Sequence, residues 1–142
     1  MGPNRNRRST DAVDWRVLFR WVLVAFFLAA GANHFRAPDF YLLMMPPWLP
    51  WPLALVYVSG AAEMLGALGV LLPATRQLAG WGLIALLVAI FPANLHMAMS
   101  GVQPAGLHAP GWVLWARLPL QAAFIAWVWW TAAAPVREDP LD

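Results

Sequence analysis

The sequence predicts an all-α fold, a four-transmembrane-helix bundle with a short interfacial segment in its first outer loop. Three observations carry this. Hydrophobic residues fill 61% of the 142 positions and charged residues only 11%, too little charge to cover a soluble surface. The apolar residues gather into four runs of about 16–23 residues, each long enough to cross roughly 30 Å of hydrocarbon. The ten tryptophans fall near the ends of those runs, where amphipathic rings anchor helices at a membrane interface.

The first run, Val17 to Ala32, is closed by Asn33 and His34, for a span of about 17–34. Its arginine-rich flank and the small residues of "AAGA" have the outline of a signal peptide. Asp11 and Asp14 interrupt that flank, and no apolar run promptly follows Arg7 and Arg8. A retained span is expected, preceded by a disordered cytoplasmic tail over 1–12. The loop from Pro38 to Pro52 has a Pro-Asp helix start, an apolar stretch from Phe40 to Met45, and four prolines that stiffen its return. It is expected to lie flat at the interface as a lid or rim, or else to serve as a rigid connector.

The second run, 53–72, ends at Pro73 and sets Gly60, Glu63, Gly66 and Gly69 at steps of three. Small residues at that spacing let helices approach closely. After the turn "PATRQ" the third run covers 78–99, interrupted by Pro92, and the fourth covers 112–134. Pro92 removes a backbone donor and kinks its span, which is expected to expose carbonyls near Asn94 and His96. A faint echo between "ANH" at 32–34 and "ANLH" at 93–96 suggests two related hairpins with a pocket between them.

The basic residues, all arginine, orient the bundle. Arg5, Arg7, Arg8 and Arg16 precede the first span, Arg76 lies in the second loop and Arg137 follows the fourth, against Arg36 alone on the other side. Excess arginine marks the cytoplasmic face, so both termini are expected there, in a bacterial inner membrane. The net charge of +2 is too small for nucleic acid as a partner, and anionic lipid headgroups fit it better. The absence of cysteine excludes thiol catalysis and thiolate metal sites.

A charge within hydrocarbon costs about 2.5–3.5 kcal/mol even on the lenient insertion scale, so each needs a reason. Glu63 lies about 15 Å below the outer surface and Arg117 roughly 8 Å, with Gln121 one turn further along the same face. Asn94 and His96 lie roughly 5–10 Å below the outer end of the third span, and Asn33 and His34 close the first. All four spans thus contribute to one expected polar pocket in the outer half, and the cytoplasmic half shows no matching groups. The plainer alternatives are structural. Glu63 and Arg117, bridged by Gln121, can form an ion pair that fixes helix register; His34 can cap its helix, and Asn94 and His96 can re-satisfy the backbone around Pro92. His108 is expected in a solvated loop. "HMAM" raises a copper site, which the lack of cysteine and of a denser Met/His array disfavours, and no metal is expected.

The stretches "GANHF…PDFYLLMMPPWLP", "LVYVSGAAEMLGALGVLLP", "FPANLHMA" and "ARLPLQ", in this order, resemble the DoxX family of small bacterial membrane proteins over essentially the whole chain beyond the first dozen residues. The resemblance implies a single four-helix membrane domain over 1–142. Some members are subunits of thiosulfate:quinone oxidoreductase and others are linked with thiol redox defence, a role the missing cysteines speak against here. By position it carries over the polar set Asn33, His34, Glu63, Asn94, His96, Arg117 and Gln121. The leading expectation is a membrane subunit or small-molecule binder with a site for a quinone-like ligand, a redox partner protein and a homo-oligomer as candidate partners, and no independent catalytic activity. The alternatives are a scaffold that docks partners through Phe40 to Trp51, and a proton-coupled transporter using the same Glu, His and Arg.

Overall fold

The computed structural model describes residues 14–103 and 108–135. The expected 1–12 tail, with Arg5, Arg7 and Arg8, and also Arg137, lies outside the described residues. The chain folds as a four-helix bundle in which four helical segments are long and apolar enough to cross a membrane, and no strand occurs among the described residues.

Helix α1 spans Trp15–Arg36 and begins where Asp14 accepts a hydrogen bond from the Arg16 amide at 3.0 Å, the side-chain cap that satisfies an orphan donor of the first turn. A short helix α2, Pro38–Leu42, follows directly. The chain then turns through the prolines to Trp51, held in the left-handed region at φ 48°, and enters α3, Pro52–Leu71. The third span is two helices, α4, Arg76–Ala89, and α5, Phe91–Ser100. The break at Ile90 follows from Pro92, which fits the first turn of a new helix but not the interior of a continuing one. The last span is α6, Gly111–Val128, ending in a π-helical turn, Trp129–Ala133. The four helical segments begin and end within two residues of the bounds 17–34, 53–72, 78–99 and 112–134, except that the third is broken.

Both termini of the described chain and the α3–α4 turn lie at one end of the bundle, the terminal end. The α1–α3 and α5–α6 connections lie at the other, the distal end. The main core joins all four spans through Leu23, Val24 and Phe27 of α1, Ala67 and Val70 of α3, Leu83 and Leu87 of α4, and Val128 and Ala132. A smaller distal core gathers Met44, Met97, Ala98 and Leu114, with Phe40 and Tyr41 against it. The outward face is apolar, as with Leu65 at 69% and Leu78 at 77% exposed. A soluble fold would bury such residues, whereas a bilayer solvates them.

The glycine stripe of α3 is its packing seam. A Cβ at Gly60 would stand 2.5 Å from the Cβ of His34 and 2.9 Å from the Gly31 carbonyl, and one at Gly66 would strike Leu83 of α4. Helix α1 thus crosses α3 at backbone contact, and this brings His34 level with Glu63. By contrast, α1 approaches the last span closely only at the π turn. Toward the distal end α1 and α6 part, bridged by the Phe26–Phe124 ring stack at 4.8 Å.

Candidate functional site

The gap left by that parting is a cavity. Two adjoining hollows of about 200 and about 310 Å³ share six lining residues: His34, Tyr41, Glu63, Ile90, Asn94 and Arg117. The first hollow lies under α2 and the following turn, with Phe40, Met44 and Met45 in its wall. The loop expected to be a lid or rim therefore folds over the cavity. The second runs between α1 and α6 past Phe26, Phe27, Leu120 and Phe124, toward the bilayer-facing side. A separate apolar cleft of about 320 Å³ adjoins them on the α3–α4 side, sharing Met45, Ser59, Ile90 and Ala93 with the first hollow.

Each polar residue is held by a local cause. His34, in the last turn of α1, directs Nδ1 at the Ala30 carbonyl 2.9 Å away, and its ring stacks on Tyr41 with centroids 3.7 Å apart. Asn33 donates to the Tyr41 hydroxyl at 3.1 Å. Burial pushes the Tyr41 phenol above its ordinary range, partly offset by the Asn33 hydrogen bond, so it stays protonated at neutral pH. Gln121 bridges two helices, its Nε2 donating to the Leu87 carbonyl and its Oε1 accepting from Asn94 at 3.2 Å. Leu87 sits in the final turn of α4, where carbonyls lack helical donors. The break before Pro92 thus leaves an acceptor about two turns before Asn94, and α6 supplies the donor.

Glu63 is 6% exposed, and its Oε2 is buried without a hydrogen-bond partner among the described residues. It stands 3.6 Å from His34 Nδ1, near enough for charge attraction, but the Nδ1 proton is committed to the closer Ala30 carbonyl. Arg117 does not pair with Glu63 as the ion-pair reading expects. Its Nη1 points at two thioethers, Met97 Sδ at 3.3 Å and Met44 Sδ at 3.6 Å, which are weak acceptors. A buried carboxyl and a half-buried guanidinium therefore line one cavity without pairing with each other. The guanidinium also makes this methionine pair a poor cation site.

Of the seven expected residues, His34, Glu63, Asn94, Arg117 and Gln121 line the cavity, and Asn33 supports it through Tyr41. His96 lines neither hollow and has no side-chain hydrogen bond among the described residues. The spacing contains the reason, because residues two apart do not share a helix face. The echo between the two "AN…H" segments accordingly holds for the asparagines and fails for the second histidine. His108 is exposed, as expected. Tyr41, Met44 and Met97 were not singled out as site residues.

The terminal half is not free of polar groups, contrary to expectation. Arg20 lies in the second turn of α1 and donates to the Thr131 carbonyl at 2.9 Å. Arg16 donates to the Trp130 carbonyl at 2.8 Å and Arg76 to the Val70 carbonyl at 3.1 Å.

Residues 23–132 match a family model described as a domain of unknown function, DUF8561. The match covers more than three quarters of the chain, from within the first span almost to the end of the last, and the chain belongs to this family. No curated protein and no solved structure matches it.

Proposed function

We propose that this DUF8561 member binds a small amphipathic, quinone-like molecule in its distal cavity and acts as a membrane subunit of a redox process. The observation that supports this furthest is the orphaned Glu63 carboxylate oxygen facing the same hollow as an arginine held only by sulfur. An unpaired buried acceptor costs about 1–3 kcal/mol, and more when charged. That cost goes unrecovered among the described residues and is recovered when a ligand supplies the missing partners.

The donor set suits a ring carrying oxygens at opposite edges. Arg117 has guanidinium N–H groups to offer a carbonyl oxygen. Glu63 can accept from a hydroxyl and take up a proton, while Gln121 and Asn94 fix the wall between them. A quinone would supply two-electron carrier chemistry, and the residues here bind it, orient it and exclude water. The hollow between α1 and α6 gives an apolar tail a route along Phe26, Leu120 and Phe124 to the lipid. Together the hollows reach the roughly 300–1,000 Å³ usual for small-molecule sites. The likeness to DoxX proteins, some of which serve quinone-linked enzymes, favours the same reading. The arginine distribution favours cytoplasmic termini, and with them a cavity in the outer leaflet of what we read as a bacterial inner membrane.

The test is native mass spectrometry of the protein released from nanodiscs made with native lipid extract, comparing wild type with Arg117→Ala. A discrete adduct of quinone mass on wild type, lost in the variant, is expected. A bare wild-type mass, or an adduct that survives Arg117→Ala, overturns the proposal.

A further inference from the structure

At the terminal end, three arginines from two spans line one hollow of about 270 Å³, together with Gln77, Thr131 and Pro135. Arg16 and Arg20 come from the start of α1 and Arg76 from the start of α4. Each is partly buried and has its Nε fixed on a backbone carbonyl: Trp130, Thr131 and Val70 respectively. Fixing Nε leaves the Nη groups of a guanidinium available as a fork, the geometry that matches phosphate oxygens. Thr131 is itself satisfied by the Trp127 carbonyl at 2.8 Å, and Gln77 donates to the Ala133 carbonyl at 3.3 Å.

The electrostatic balance favours an anion. Among the described residues the acidic residue at the rim is Asp14, which caps the first turn of α1 through the Arg16 amide. No salt bridge to these arginines occurs among the described residues. The carbonyl ends of α3 and the π turn each contribute about half a negative charge, and the start of α4 about half a positive one. Three guanidinium charges therefore exceed the negative charge that the described residues bring to the hollow. The level in the membrane supplies the occupant. Exposed Trp15, Trp21, Trp81, Trp129 and Trp130 lie at this end, and such a belt marks the headgroup layer. A phosphate there belongs to a lipid unless it arrives free from water.

We infer that Arg16, Arg20 and Arg76 form a binding site for a phosphate group, supplied by the headgroup of an anionic glycerophospholipid seated against the terminal end of the bundle. The site is separate from the distal cavity and does not depend on the function proposed for it. Basic residues near a membrane surface each contribute about fivefold to binding of anionic lipid.

The experiment is native mass spectrometry of the full chain from nanodiscs of phosphatidylcholine mixed with phosphatidylglycerol, with and without excess inorganic phosphate. Wild type is expected to retain one phosphatidylglycerol in preference to phosphatidylcholine. Arg20→Gln and Arg76→Gln should each retain about fivefold less, and Arg117→Ala should retain it unchanged. Arg16→Gln, at the exposed start of α1, carries the same test if Arg20→Gln fails to fold. Displacement of the lipid by inorganic phosphate would overturn the lipid assignment. Equal retention by the arginine variants, or no preference for phosphatidylglycerol, would overturn the site.

Discussion

The two ends of the bundle treat the polar side chains of their spans differently. At the terminal end four polar side chains among the described residues reach across to backbone carbonyls, Arg16 to Trp130, Arg20 to Thr131, Arg76 to Val70 and Gln77 to Ala133. Those carbonyls belong to helix ends, where helical donors run out. Among the described residues, the one buried side-chain group left without a partner at this end, Trp127 Nε1, lines none of the hollows described above. At the distal end Glu63 Oε2 has no donor and Arg117 rests on two sulfurs. Satisfied groups fix architecture. Unsatisfied groups beside a cavity hold free energy that a ligand can release, and this difference separates a structural network from a candidate site more sharply than polarity does.

The largest effect that sharpens this comparison is steric. Gly60→Val should push His34 off Glu63, because even a Cβ at Gly60 falls 2.5 Å from the His34 Cβ. Overpacking of this kind costs about 3 kcal/mol, to be read as loss of midpoint in reversible denaturation in detergent. Next, Arg20→Ala removes a charged donor from the Thr131 carbonyl and should cost about 2 kcal/mol, with no change in what the distal cavity binds. Gln121→Leu should cost about 1 kcal/mol by releasing the Leu87 carbonyl and Asn94, and should weaken retention of a cavity ligand as well. Tyr41→Phe keeps the stack on His34 and loses only the hydroxyl that accepts from Asn33. Its stability cost should be about 0.5–1 kcal/mol. A comparable loss of ligand from Arg20→Ala and Gln121→Leu would break the distinction between the two ends.

The spans were legible because length and composition alone set them: a run of about twenty apolar residues has few other uses. The convergence of Glu63, Asn94, Arg117 and Gln121 was legible for a related reason, the cost of polar groups in hydrocarbon. Their pairing was not. Whether Glu63 meets Arg117 or His34 depends on helix rotation, which the Gly31–Gly60 crossing sets. The weak acceptors around Arg117 arrive from Met44 and Met97, on a folded-back loop and a different span. His96 could have been set aside from its spacing to Asn94 alone. Arg20 was hidden within an apolar run, and its partner at Thr131 lies 111 positions away.

The central claim is that Glu63 serves a ligand and not the fold, and thermal unfolding of Glu63→Met in ligand-free detergent tests it most directly. An unsatisfied buried polar group costs stability, so replacing it by an apolar one of similar volume is neutral or stabilising when that group is not structurally required. A midpoint equal to or above that of wild type is the predicted result. A fall corresponding to the roughly 3–5 kcal/mol lost when a buried ion pair is broken would contradict the account and make His34 and Glu63 a structural lock.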